Sequence, residues 1–195
     1  MPRRTRVDGP SYFHVLNRSV RRARLFDTPD DYDAFMDVLA LAQQRVPMQI
    51  VSYCIMPNHF HFVLGPTQTA DLSKFMHRLT VLHSMRWHRF RGTTGTGPVY
   101  QGRFRAYPIR DEVHFLFVCR YVERNPLRAD LVARAEQWRW SSVGRDRRNC
   151  DLALLSPWPI PQPSSWVDVV NEIKTGSLKG PGLLDQGALD YGPWD

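Results

Sequence analysis

Apolar and polar positions along the chain alternate with two different periods, and the order of those periods outlines a fold. Tyr12 to Asn17 (YFHVLN) has the short pattern of a strand. Thr28-Pro29-Asp30-Asp31 then supplies a cap residue, a proline at the first helical position and acids in the first turn. Tyr32, Phe35, Val38, Leu39 and Ala42 follow at helical spacing, predicting a helix to about Arg45. Gln49 to Ile55 and His59 to Leu64 are strand-like and joined by Met56-Pro57-Asn58, short enough for a hairpin. Leu72, Phe75, Met76, Leu79, Leu82 and Met85 mark a second helix, whose Lys74, Arg78, Arg86 and Arg89 either line a groove or form a solvated face. Gly92 to Pro98 is glycine-rich but lacks the Lys-Ser/Thr ending of a phosphate loop, and is expected to be a flexible connection. A further strand is expected over Val99 to Ile109 and a third helix over Asp111 to Asn125, stopped by Pro126.

The order β-α-β-β-α-β plus a helix predicts an α+β ferredoxin-like sandwich, an antiparallel sheet with helices on one face. Its other face is expected to be free for a ligand. Beyond Asp151 the sequence is rich in Pro and Gly with no sustained period, so residues 1–150 are expected to form the globule and 151–195 an acidic tail or arm.

Charge sharpens that division. The 195 residues carry 26 Lys+Arg and 19 Asp+Glu. Residues 1–150 hold 24 basic and 13 acidic side chains, 24 − 13 = +11, whereas 151–195 hold 2 and 6, 2 − 6 = −4. Most of the basic residues are arginine, whose planar fork pairs with phosphate oxygens, so a polyanionic partner is expected. Folding of the acidic tail onto the basic surface is a further expectation from charge. No stretch approaches the roughly 18 to 20 apolar residues of a membrane span, and no apolar segment follows the basic start, so a cytoplasmic protein is expected. Cys54, Cys119 and Cys150 form no CxxC pair, which argues against a thiolate zinc cage.

Candidate chemistry sits in the second strand of the hairpin. Residues two apart share a strand face, so His59 and His61 lie together while Phe60, Phe62 and Leu64 face the helix-covered side. Paired neutral imidazoles can grip a divalent ion with a third ligand from elsewhere, or can be two polar residues on a wet face. No Asp-His follows, which argues against a hydrolase-type zinc site. On the third helix Tyr121 and Asn125, four apart, share a face, presenting a phenol beside an amide oxygen. Taken alone, Tyr121 reads first as an ordinary packed residue with Phe117 beneath it, and His114 is expected to pack or hydrogen-bond.

The segments MPNHFHFVL, GPVYQGRF, CRYVERNPLRADLV and WSS, in that order over about Tyr12 to Ser142, resemble the motif series of single-tyrosine HUH transposases, and more closely that of the REP-associated tyrosine transposases. The resemblance implies a metal-dependent single-stranded DNA endonuclease and strand transferase acting near hairpins through a covalent 5′-phosphotyrosine. It makes Tyr121 the nucleophile, and His59, His61 and Asn125 the ligands of Mg2+ or Mn2+; many relatives carry glutamine in place of Asn125 and glycine in place of Asp130. Arg103 and Arg105, with Arg18, Arg21 and Arg22 behind them, are the expected DNA contacts. It also implies a monomer, although insertion-sequence relatives are dimers that supply the tyrosine helix in trans. The rival readings are a non-catalytic nucleic-acid-binding module built on the same sheet, resembling an RNA-recognition fold, and a relaxase or replication initiator. Chain length and the late, helix-borne tyrosine disfavour the latter.

Overall fold

The computed structural model describes residues 12–144 and 154–172. Four strands, β1 (Phe13–Arg18), β2 (Gln49–Met56), β3 (His59–Gly65) and β4 (Arg105–Pro108), form one sheet in the order β2-β3-β1-β4. Every neighbouring pair is antiparallel. With α1 (Pro29–Arg45) after β1 and α2 (Thr69–Arg91) after β3, this is the ferredoxin-like arrangement.

Local chemistry accounts for the element ends. Thr28 and Asp31 form a capping box ahead of Pro29, so α1 starts where the cap residue stands. Gly92 closes α2 in the left-handed region, φ 63°, a conformation that costs glycine little. Two ends differ from expectation. Only Arg105–Pro108 of the segment 99–109 pairs as a strand, because a tight turn at Gly102 (φ 74°), whose N–H donates to the Tyr100 carbonyl, breaks the extended run. The third helix, α3 (Glu112–Arg128), runs through Pro126. A proline this close to the end forfeits one helical hydrogen bond, and the Asn125 and Pro126 carbonyls are satisfied by the Ala129 and Leu131 amides.

One sheet face buries Val15, Phe60, Phe62 and Leu64 against Phe35, Val38, Leu39, Phe75 and Leu79 of α1 and α2. The opposite face is not free. The stripe Phe115, Val118, Cys119 and Val122 on α3, at helical spacing, has to leave water, and it packs over Val63, Cys54 and Met56. An extra residue in β2 between Ile50 and Ser52 shifts its register against β3, so Val51 and Ser52 both serve this second core.

The described part of the arm, 154–172, lies against α3 and β2. Trp158 donates to the Val51 carbonyl, and Trp166, in the short helix α4 (Trp166–Asn171), is buried against the second core. Expectations for the rest of the acidic tail fall outside the described residues.

Candidate active site

Strand register assembles one end of the second face. On β3 the alternation turns His59 and His61 toward α3, and β1 sets Arg18 opposite His59, Leu16 opposite His61 and His14 opposite Val63. Beyond the apolar stripe of α3, its last turns carry Tyr121, Asn125 and Arg128, spaced four and three apart and hence on one helix face. These residues converge on a pocket of about 490 Å³ that also takes in Arg22, Asn58 and Tyr107. The ring centroids of His59 and His61 are 5.0 Å apart, and that of Tyr121 lies 5.7 Å from His61, nearly perpendicular to it. The Arg128 guanidinium sits 5.4 Å from the centre of the Tyr121 ring.

Hydrogen bonds hold these groups in place. The Asn125 amide nitrogen donates to the Tyr121 carbonyl at 2.9 Å, which leaves its oxygen as the atom it can offer to a cation. His59 Nδ1 lies 2.6 Å from Asn58 Oδ1, and His61 Nδ1 lies 3.0 Å from His14 Nε2. Burial, with the neighbouring His59, His14, Arg18 and Arg128, holds His61 well below the ordinary imidazole range. Burial, then His114, pushes His14 down to about 3. Both rings are therefore neutral at physiological pH, the form in which imidazole ligates metals.

The donor set fits a divalent ion of modest affinity. Among the described residues no group of three His, Cys, Asp or Glu side chains converges as an ion site, and the Asn125 amide oxygen is one further oxygen donor in the pocket beside His59 and His61. Among the described residues no acidic side chain lines the pocket, while Arg18, Arg22 and Arg128 do. Such a rim suits phosphate oxygens.

Of the arginines expected to touch DNA, Arg18 and Arg22 line the pocket, whereas Arg21, Arg103 and Arg105 do not. Arg105 is exposed on the edge strand, paired with Leu16. The α2 basic residues Lys74, Arg78, Arg86 and Arg89 belong to the helix on the other sheet face and none lines the pocket. Sequence reasoning passed over His14, Asn58, Tyr107 and Arg128. Arg128 was within reach, being three residues past Asn125 on the same helix face, but only if the helix continued through Pro126. His114 does hydrogen-bond, its Nδ1 accepting from the Arg110 amide at 3.1 Å.

The back of α3 is gripped by the arm. Arg120 donates to the carbonyls of Val169 and Glu172, and Arg124 to that of Val170. The buried Glu123 carboxylate accepts from Trp166 Nε1 at 2.6 Å and from Ser52 Oγ at 3.1 Å, and also from Ser142 of the WSS segment. None of the described arm residues lines the pocket.

The family model described as "Transposase IS200 like" matches residues 10–125, a span that includes His59, His61, Tyr121 and Asn125. The chain belongs to the IS200-like transposase family. Its class of activity is therefore DNA transposition, with DNA as partner. No curated protein matches this transposase. Among solved structures it resembles a REP-associated tyrosine transposase bound to a REP hairpin, with a TM-score of 0.58 and 19% identity over 91% of this chain and 96% of that one. A putative transposase from Deinococcus radiodurans matches 57% of this chain and 88% of its own, at 17% identity and a TM-score of 0.45. The first likeness confirms the α+β fold. No helix among the described residues is long and apolar enough to cross a membrane.

Proposed function

We propose that this transposase is a REP-associated tyrosine transposase that cuts and rejoins single-stranded DNA at hairpins through a covalent 5′-phosphotyrosine. The reading rests on one observation: Tyr121, His59, His61 and Asn125 of a single chain line the same arginine-rimmed pocket. The hairpin-bound relative of like fold supports hairpin DNA as the substrate.

Tyr121 is the nucleophile. Its phenolic oxygen attacks phosphorus, the P–O3′ bond breaks, and the phenol proton ends on the departing 3′ oxygen. The 5′ phosphate stays on the tyrosine, so the energy of the phosphodiester is retained for transfer to a second 3′-hydroxyl. Arg128 and Arg18 hold the phosphate's unreacting oxygens, and Arg22 extends that grip along the backbone. His59, His61 and the Asn125 oxygen would hold Mg2+ or Mn2+. When bound, that ion offsets charge developing on the phosphate. Arg21, Arg103 and Arg105, outside the pocket, contact the hairpin stem. Residues 1–150 form the nuclease unit and 151–195 an appendage to it, acting in the cytoplasm. The tyrosine helix lies over the histidines of its own chain, which supports a monomer as the active form, with a dimer as the alternative.

The test is incubation with hairpin-bearing single-stranded oligonucleotides and Mn2+, read on a denaturing gel. A protein–DNA adduct that Tyr121→Phe abolishes is expected. Hairpin binding with no adduct at any metal concentration would reduce the protein to a binding module.

A further inference from the structure

A neutral imidazole carries one proton on two nitrogens, so whatever engages Nδ1 decides whether Nε2 has a lone pair to offer. At His59 that engagement is defined on both sides. Asn58 Oδ1 lies 2.6 Å from His59 Nδ1, and Asn58 Nδ2 donates to the Arg22 carbonyl at 3.1 Å. Turning the amide over would set its oxygen against the carbonyl oxygen of Arg22 and its NH2 against the ring. The Arg22 contact therefore fixes the amide's direction, and an amide oxygen can only accept.

The carbonyl that sets this direction is itself held by an unusual turn. Arg21 and Arg22 both lie in the left-handed region, φ 56° and 57°, a conformation non-glycine residues adopt only when their surroundings demand it. The demand comes from the β2–β3 hairpin turn. Ser19 N–H donates to the Asn58 carbonyl at 3.0 Å, and the Leu25 and Phe26 amides both donate to the Pro57 carbonyl. The backbone of the arginine turn and the hairpin are stitched together, with the Asn58 side chain lying between that turn and the ligand ring.

We propose that Asn58 is a positioning residue that locks His59 in its Nδ1–H tautomer and so leaves Nε2 as the atom that binds the ion. This rests on the reading of His59 as a cation ligand. Partners of this kind on the far nitrogen of a ligand histidine typically alter metal affinity about 10–100-fold when removed. The same contact joins the ligand ring to the Arg21–Arg22 turn, so the DNA-facing loop and the ion site share one rigid connection.

Two measurements test it. Long-range 15N correlation spectra of the metal-free wild-type protein should show His59 protonated at Nδ1. Asn58→Asp, which keeps an acceptor, should preserve that signature, and Asn58→Leu should shift the proton to Nε2. Mn2+ titration followed by electron paramagnetic resonance, with the hairpin oligonucleotide present, should show affinity about 10–100-fold weaker for Asn58→Leu and retained for Asn58→Asp. A wild-type His59 protonated at Nε2 overturns the proposal without needing any variant. So does Mn2+ affinity that is unchanged in Asn58→Leu while His59→Gln abolishes it. If His59→Gln leaves Mn2+ binding untouched, the ion-ligand reading itself fails, and the role given to Asn58 fails with it, whatever the tautomer.

Discussion

Trp166→Phe isolates the contact that holds the tyrosine helix from behind. Phenylalanine keeps part of the indole's packing, including an aromatic edge toward Trp158, whose ring centre lies 5.0 Å away. It cannot make the 2.6 Å hydrogen bond to Glu123 Oε2. Both side chains are nearly inaccessible to water, so the substitution removes a buried hydrogen bond to a carboxylate. A hydrogen bond to a charged group contributes about 1.5–3 kcal/mol. The void left by the smaller ring adds on the order of 1 kcal/mol. The expected loss is roughly 3 kcal/mol, or about 6–12 °C in Tm for a chain of this size. Urea unfolding followed by fluorescence and circular dichroism measures it. The decisive control repeats the substitution in a Glu123→Leu background, where the carboxylate that accepts the indole hydrogen bond is absent from the start. There only the packing part, about 1 kcal/mol, should persist. The Ser52 and Ser142 hydroxyls, 3.1 Å apart, keep each other as partners in that background. Equal losses in the two backgrounds would refute the claim that the Trp166–Glu123 bond anchors the arm.

Three further outcomes are expected. Tyr121→Phe should abolish adduct formation while changing hairpin affinity less than about twofold in a gel-shift assay, since one hydroxyl is lost from a surface dominated by arginine–phosphate contacts. Burial, then Arg91, pushes His83 down to about 3, and its Nδ1 lies 2.6 Å from the Tyr100 hydroxyl oxygen. Its folded value lies below the unfolded one near 6.5, so the unfolded chain binds the extra proton first. Stability is then lost as pH falls from 6.5 toward 3, by about 1.4 kcal/mol per pH unit for this residue. Denaturant midpoints between pH 6.5 and 5 should fall less steeply in His83→Gln, and an unaltered slope would contradict its burial as a neutral ring. Asp130, two residues past α3, holds φ 52°. Asp130→Gly should therefore stabilise the fold by about 0.5–1 kcal/mol in thermal unfolding, by removing a left-handed side chain.

The elements most legible in the sequence were those whose ends carry their own chemistry. Thr28, Pro29 and Asp31 announce α1, and the alternation across QIVSYCI and HFHFVL separates the two sides of the hairpin. The misreadings came from judging a local signal without its partners. Pro126 was expected to stop α3, yet a proline near the last turn gives up a single hydrogen bond, and the helix gains the turn that carries Arg128. The open second face was expected because helices were assigned to one side only. The stripe Phe115, Val118, Cys119 and Val122 had already marked α3 as needing a surface to cover. His14 lay unnoticed within an alternating strand, since nothing in YFHVLN indicates that β1 will lie beside β3 with that ring against His61. Residues 154–172, without a period of their own, contribute Trp158 and Trp166 to the second core. Isolated tryptophans among prolines leave no periodic trace.

A pocket lined by imidazoles, amides and guanidinium groups, with no carboxylate among the described residues, has an energetic corollary. A doubly charged ion entering it alone meets repulsion from Arg18 and Arg128 and finds no compensating anion among the described residues that line the pocket. The backbone phosphate of the strand to be cut supplies that anion, so ion and nucleic acid each raise the other's affinity, and by thermodynamic necessity the two enhancements are equal. On the proposed chemistry, the idle enzyme is largely ion-free at low cation concentration. Competence to break a strand then arises together with the strand.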